Sequence, residues 1–283
     1  MLPSGFEGSG PVFATALPVV DRPSPNHGPR VGGDAVEMVL LHYTDMESMA
    51  AAADRLTDPA AEVSAHYLVD EDGTIHRLVP EGRRAWHAGH ACWGGLRDVN
   101  SRSIGIEIVN PGHSCGYRPF PAVQMDAVTA LCIDIVVRHG IDPRAVLGHS
   151  DVAPQRKRDP GELFDWAALA AAGLGLWPRH GFDPEAAAAH APAMAPGMAG
   201  PAVLDLQFAL DGIGYEVEGN GLYDPSLAAV VTAFQRHFRP ALCDGTADPE
   251  TLGLVYEILA VAQGPRPPMP AGPRDLTGTA GGA

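Results

Sequence analysis

Between residues 37 and 147 the chain alternates short β-type runs with stretches of helical spacing, and this alternation narrows the possible folds more than any other feature. Glu37-Met-Val-Leu-Leu-His-Tyr-Thr44 reads as a buried strand that ends in polar residues, and Ser103-Ile-Gly-Ile-Glu-Ile-Val-Asn110 as another. Ala65–Val69 and Ile75–Val79 flank the turn-forming Asp70-Glu-Asp-Gly73, which predicts a β-hairpin. Ser48 to Leu56 has the apolar spacing of a helix. From Gln124 to His139, Met125, Val128, Leu131, Cys132, Ile135 and Val136 recur at helical spacing, with Gly140 placed to cap the end. Ala145–Leu147 is a short strand, and Leu163 to Ala172 a further helix ended by Gly173. The expected fold class is α/β, a mixed β-sheet flanked by helices.

Composition divides the rest. Residues 1–35 are Pro/Gly-rich and weakly patterned, which predicts an N-terminal arm on the surface. The sheet-bearing domain takes residues 36–180, followed by an Ala/Pro/Gly linker over 181–200 and a second compact unit over 201–263. Residues 264–283 are again Pro/Gly-rich and are expected to be a disordered tail. With 283 residues and 46% hydrophobic side chains, a substantial domain with a packed core plus a smaller one is expected.

A formal charge of −15 argues against a nucleic-acid partner, since binding phosphates needs clustered cations. The one basic triplet is Arg156-Lys157-Arg158. No apolar run reaches the length of a membrane span. The segment Met1 to Val20 lacks a basic start and is broken by Pro and Gly, so it does not read as a signal peptide, and cytoplasmic residence is the expectation, with the periplasm or cell envelope as the alternative. Cys92, Cys115, Cys132 and Cys243 show no C-x-x-C spacing, which speaks against a thiolate metal site. Cys92 and Cys115 could pair; free thiols are expected without a secretion signal.

The segment Gly148-His-Ser-Asp-Val-Ala-Pro-Gln-Arg-Lys-Arg-Asp-Pro-Gly161 carries an imidazole (His149), an ammonium (Lys157) and a carboxylate (Asp159) on a non-periodic stretch after a short strand. Catalytic zinc takes three protein ligands and leaves a position for water. His149 and Asp159 are two candidates. His42, at the rim of an apolar strand and on one face with Met38 and Leu40, is the best third; a lone histidine there reads more readily as a hydrogen-bonded rim residue, and the company of Asp159 and Lys157 reverses that order. Glu107 interrupts a run of isoleucines, and a carboxylate in such a strand needs a partner or a role. Beside a metal-bound water that role is general base; a salt bridge to an arginine is the alternative. Lys157 stands two residues from Asp159, so in an extended stretch both face one pocket. There an ammonium can stabilise an oxyanion, or it is simply a solvated member of the triplet.

These segments resemble the zinc-dependent N-acetylmuramoyl-L-alanine amidases of the amidase-2 type, which share their fold with phage T7 lysozyme and the peptidoglycan recognition proteins. The resemblance rests on Leu41-His-Tyr-Thr44, Ser64-Ala-His-Tyr67, Trp86-His-Ala-Gly89, Ser103–Glu107 with Asn110, and Gly148–Pro154 through Lys157–Gly161, in the family's order. It implies zinc ligation by His42, His149 and Asp159, with Glu107 as base and Lys157 as oxyanion stabiliser. The implied reaction cuts the amide between N-acetylmuramic acid and L-alanine, in peptidoglycan or in a 1,6-anhydro-muropeptide. His66 reads as a hydrogen-bonding neighbour of the site. Trp86 and His87 read as lining a sugar or peptide groove, with Trp86 as a core cap the alternative. His66, Trp86, His87 and Asn110 are together the candidate substrate contacts. His90, His113 and His139 are expected at the surface or at caps. Residues 201–263 are similar to a three-helix peptidoglycan-binding domain, which either binds wall or only packs on the amidase. The rival readings are a non-catalytic binder or sensor of wall fragments and a zinc peptidase acting within the stem peptide.

Overall fold

A computed structural model describes residues 15–33, 35–179 and 192–272. Its main sheet has six strands in the order β1-β5-β4-β7-β3-β8, with β1 Val20–Asp21, β3 Met38–Tyr43, β4 Tyr67–Val69, β5 Ile75–Arg77, β7 Ser103–Ile108 and β8 Val146–Gly148. β3 lies between β7 and β8 and runs parallel to both, while β4 and β5 form the expected antiparallel hairpin. A two-stranded ribbon pairs β2 (His27–Pro29) with β6 (Arg83–Ala85).

Alternation along the parallel strands explains their composition, because both faces of the sheet are covered. Val39 and Leu41 of β3 and Ile104, Ile106 and Ile108 of β7 face the long helix α4 (Ala122–His139), which contributes Val128, Leu131, Cys132 and Ile135. Each such buried aliphatic contributes about 1.5–3 kcal/mol. Gly140 ends α4 at φ 65°, and its N–H is bonded back to the carbonyls of Val136 and Val137. On the opposite face Met38, Leu40 and Leu147 pack with Ala88, Val99 and Val152. His42 and Glu107 are register partners at the C-terminal ends of β3 and β7, one step beyond this second layer. Ligand sites of α/β sheets collect at that edge.

The remaining helices are α1 (Met49–Thr57), α2 (Val99–Arg102), α3 (Gly112–Cys115), α5 (His149–Val152), α6 (Trp166–Ala171), α7 (Pro201–Ile213), α8 (Pro225–Phe238) and α9 (Pro249–Gln263). Ser48, included in the expected helix, stands just before it and caps α1 by accepting the Ala51 N–H. The last three helices enclose a second core around Leu206, Leu210, Val231, Phe234, Val255 and Ile258. Two of them start with Asp-Pro, where Asp224 and Asp248 accept the N–H groups of Leu227 and Thr251 and proline fills the first helical position. Among the described residues, no helix is long and apolar enough to cross a membrane. All four cysteines are free thiols.

Three expectations need correction. The stretch expected as a surface arm contributes β1 and β2 to the sheets, and Ser24, Asn26 and Arg30 are buried. Arg30 donates to the carbonyls of Glu81, Ser101 and Ser103. Side chain to backbone bonds of this kind hold a segment without leaving any apolar periodicity. The helix expected from Leu163 begins only at Trp166, because the Asp165 carboxylate caps the Ala168 N–H. In the expected tail, Arg266 donates to the carbonyl of Gly140, so residues 264–272 lie on the fold; residues 273–283 are outside the described range. Of the linker, residues 180–191 are likewise outside it, while Met194 pairs with Ala247 and is buried.

Candidate metal centre

His42 comes from the end of β3, His149 opens α5 directly after β8, and Asp159 follows ten residues later. Ser150 N–H donates to the Asp159 carbonyl at 2.9 Å, so the backbone itself ties the two ends of the Gly148–Gly161 segment together. All three side chains are buried. Nδ1 of His42, Nδ1 of His149 and Oδ2 of Asp159 form a triangle with every side 2.9 Å.

The outer nitrogens decide what those three atoms can offer. His149 Nε2 faces the Ala88 carbonyl at 3.0 Å and must donate to it, which leaves Nδ1 with a lone pair. His42 Nε2 faces His87 Nδ1 at 3.1 Å. His87 Nε2 in turn faces Ser103 Oγ at 3.4 Å, and that hydroxyl donates to the Val99 carbonyl at 2.6 Å. Read from the carbonyl inward, each group donates to the next outward one, so His42 Nδ1 also keeps a lone pair. Two lone-pair nitrogens and an anionic oxygen 2.9 Å apart repel one another unless a cation lies among them. The donor set, N₂O with both imidazoles oriented from behind, suits zinc, whose bonds to such ligands are about 2.0–2.2 Å.

Electrostatics agree. Burial, then the neighbouring His149, pushes His42 down to about 4, so it is neutral at pH 7. Burial alone would raise Asp159, but His149 and His42 hold its carboxyl well below the usual range, so it is anionic. Glu107 is the opposite case. Burial, and then the Asp159 charge, pushes it well above the usual carboxylate range against the pull of Lys157. Its Oε2 is buried with no hydrogen-bond partner in the protein. A carboxylate so placed takes up a proton readily, and among the described residues no arginine forms the alternative salt bridge with it.

A cleft of about 510 Å³ opens over the triangle. Glu107, Lys157, Trp86 and His87 line it, together with Tyr43, Arg55, His113, Arg156 and Arg158. The structure does not bring the other two candidate substrate contacts there. His66 is fully buried beneath His87, where Nδ1 accepts the Gly105 N–H and Nε2 faces the Arg83 carbonyl. Asn110 is also fully buried and holds the turn after β7, donating to the Arg118 carbonyl and accepting the Gly112 N–H. His87 lines the cleft, yet both of its nitrogens are engaged by His42 and Ser103. Gly105 makes room for it: a Cβ there would lie 2.5 Å from the imidazole.

His113, like Arg55, Arg156 and Arg158, is a cleft residue that sequence reasoning missed. Its Nδ1 lies 2.9 Å from the Tyr43 hydroxyl, Nε2 lies 3.1 Å from Glu162, and the ring stacks on Tyr117. The signal available was its position just past the C-terminal end of the Glu107 strand. His139, expected at the surface or at a cap, closes a buried network with Glu81 and Arg138 on the far side of the sheet. His90 is exposed, as expected.

Residues 32–162 match the family described as N-acetylmuramoyl-L-alanine amidase, and residues 199–254 match that described as putative peptidoglycan binding domain. The N-acetylmuramoyl-L-alanine amidase AmiD of Escherichia coli is 39% identical to this chain over 238 residues, covering 79% of this chain and 82% of AmiD. Its structure with the substrate anhydro-N-acetylmuramic acid-L-Ala-D-gamma-Glu-L-Lys aligns at a TM-score of 0.70 and 35% identity, over 84% of this chain and 92% of that one. The 1,6-anhydro-N-acetylmuramyl-L-alanine amidase AmpD of Enterobacter cloacae is 30% identical, over 53% of this chain and 87% of AmpD. AmpDh3 of Pseudomonas aeruginosa, in complex with anhydromuramic pentapeptide, aligns at a TM-score of 0.69 and 33% identity, over 83% of this chain and 93% of that one.

Proposed function

Because the chain belongs to the N-acetylmuramoyl-L-alanine amidase family, we propose that its cleft holds zinc on His42, His149 and Asp159 and hydrolyses the amide between N-acetylmuramic acid and L-alanine. The observation that carries the reading is the 2.9 Å triangle of donor atoms beside a buried, unpartnered Glu107 carboxylate. Bound there, zinc supplies a Lewis acid that polarises the scissile carbonyl and acidifies water.

The chain's own residues do the rest. Glu107, held at the end of β7 next to His42, accepts the proton of the attacking water as the C–O bond forms. Burial gives it the proton affinity to do so and then to pass that proton to the departing amine of L-alanine. Lys157 lines the cleft beside Asp159 and places its ammonium towards the oxyanion that develops on the carbonyl. Trp86 offers a ring face to a sugar, and Arg55, Arg156 and Arg158, in a cleft that also holds Asp45 and Asp159, bring cations for the carboxylates of a stem peptide. A binder without turnover finds no support in this set, and its relatives aligned over most of the chain are amidases.

The substrate form we favour is the soluble 1,6-anhydro-muropeptide, the ligand or substrate named for several relatives. Cytoplasmic residence suits that substrate. The test is mass spectrometry of products from anhydro-muropeptide and from intact sacculi, before and after exhaustive chelation. Free L-alanine-terminated peptide, lost with the metal and restored by added zinc, is expected. Full activity after chelation, or products that keep the sugar joined to L-alanine, would overturn the reading.

A further inference from the structure

The C-terminal helices reach into the shell behind the metal centre. Asp151 lies on α5, two residues past His149, and is buried. Its Oδ2 accepts the Gly148 N–H at 2.8 Å and faces His237 Nδ1 at 2.9 Å, and its Oδ1 accepts the Tyr215 hydroxyl at 2.9 Å. Two of those three partners come from the helical region. His237 Nε2 is buried with no hydrogen-bond partner, so Asp151 is the imidazole's polar anchor. Its ring is stacked with Trp166 at 3.7 Å and with Phe238 at 4.0 Å.

Residues 214 and 215 also hold the other side of His149. The Tyr215 ring meets Trp93 edge-on at 5.0 Å, and Gly94 N–H donates to the Gly214 carbonyl at 2.8 Å. Cys92 N–H donates to the Val152 carbonyl at 2.9 Å, joining this segment to the end of α5. The segment runs back to Ala88, whose carbonyl fixes the His149 ring. A four-residue helix cannot hold its own position, since isolated helices need several turns to be stable. A buried carboxylate stripped of two donors is costly and relaxes by moving. Movement of α5 displaces His149 directly, and Asp159 through the Ser150 N–H bond.

We propose that Asp151 is a positioning residue for the metal centre and that Tyr215 and His237 hold it in place, so that the C-terminal helices complete the catalytic unit. This rests on the reading of His42, His149 and Asp159 as zinc ligands.

The test uses the full chain with Tyr215→Phe or His237→Phe, which keep an aromatic ring and lose the bond to Asp151. Zinc affinity by competition with a chromophoric chelator and the visible spectrum of the cobalt-substituted protein are the readouts. Zinc binding about 10–100-fold weaker, with a shifted cobalt spectrum, is expected. Val230→Ala, in the same helical core and making no hydrogen bond to Asp151, should lower Tm and leave both readouts as in the wild type. Wild-type affinity and spectrum in the Tyr215→Phe and His237→Phe proteins overturn the proposal. So does a Val230→Ala protein that loses zinc as readily at equal loss of stability. Should His237→Phe not fold, Tyr215→Phe, which removes one hydroxyl, decides alone. A wild type that binds no zinc overturns the metal reading itself, and is told apart by failing before any variant is compared.

Discussion

His42 Nε2 lies 3.1 Å from His87 Nδ1, and this contact sets which nitrogen of His42 faces the cleft centre. The acceptor on His87 keeps the His42 proton on Nε2, and Ser103 keeps the His87 proton on its own Nε2. His87→Ala removes the acceptor and frees the ligand to rotate or change tautomer. Zinc affinity should fall about 10–100-fold, as for other partners behind metal ligands, measured by chelator competition. Unchanged affinity would show that β3 alone orients His42.

Gly105 allows this arrangement. A methyl group there would meet the His87 ring at 2.5 Å, with β7 fixed between β3 and β4 and unable to recede. Gly105→Ala should therefore cost about 1–3 kcal/mol, the range for overpacking a filled interior, read by urea unfolding. Its zinc affinity should fall with that of His87→Ala. An Ala variant of wild-type stability would mean that the ring has somewhere else to go.

What could be read in the sequence follows from how each residue is held. His42 and Glu107 stand out because they break apolar strands whose period is two, and the sheet then sets them side by side. His149, Lys157 and Asp159 stand out as polar residues gathered on one aperiodic segment. Arg30, Tyr215 and His237 carry no such mark. Their bonds go to carbonyls or to a carboxylate far away in the chain, and no local pattern records a partner 51 or 86 residues distant. The apolar spacing of Leu163 and Phe164 overran the true start of α6 for a related reason: periodicity sees burial, and the Asp165 cap decides the boundary.

Glu107→Gln keeps the size of the side chain and removes its basicity. Turnover should fall about 10²–10⁴-fold while zinc remains bound. In the wild type the base must be deprotonated, so kcat/KM should rise with pH. Burial and Asp159 raise the Glu107 pKa in the metal-free chain, and a bound zinc would pull it back down, so that ascending limb should move to higher pH when the metal is weakened. A pH profile flat down to pH 4.5 would argue against Glu107 as the base.

Lys157→Met keeps most of the length of the side chain and removes the charge proposed to meet the oxyanion. Loss of one oxyanion donor typically costs about 10²–10³ in kcat, and a similar drop is expected here with KM little changed. A rise in KM alone would make Lys157 a substrate-binding cation instead.

His66 should make the fold acid-sensitive independently of catalysis. Its neutral ring uses both nitrogens, accepting the Gly105 N–H at 2.9 Å and facing the Arg83 carbonyl at 3.0 Å, with the Arg30 guanidinium 3.2 Å away. Burial, then Arg30, pushes its pKa down to about 3, whereas in the unfolded chain it titrates near 6.5. Below pH 6.5 the unfolded chain therefore binds a proton that the native state refuses. Stability is full above that pH and falls as the pH drops towards about 3, by roughly 1.4 kcal/mol for each unit in the window. His66→Gln can donate to Arg83 and accept from Gly105 without titrating, so its stability should vary less steeply over the same range. Urea unfolding of both proteins between pH 4 and 7 measures the difference, and parallel curves would rule out His66 as the source.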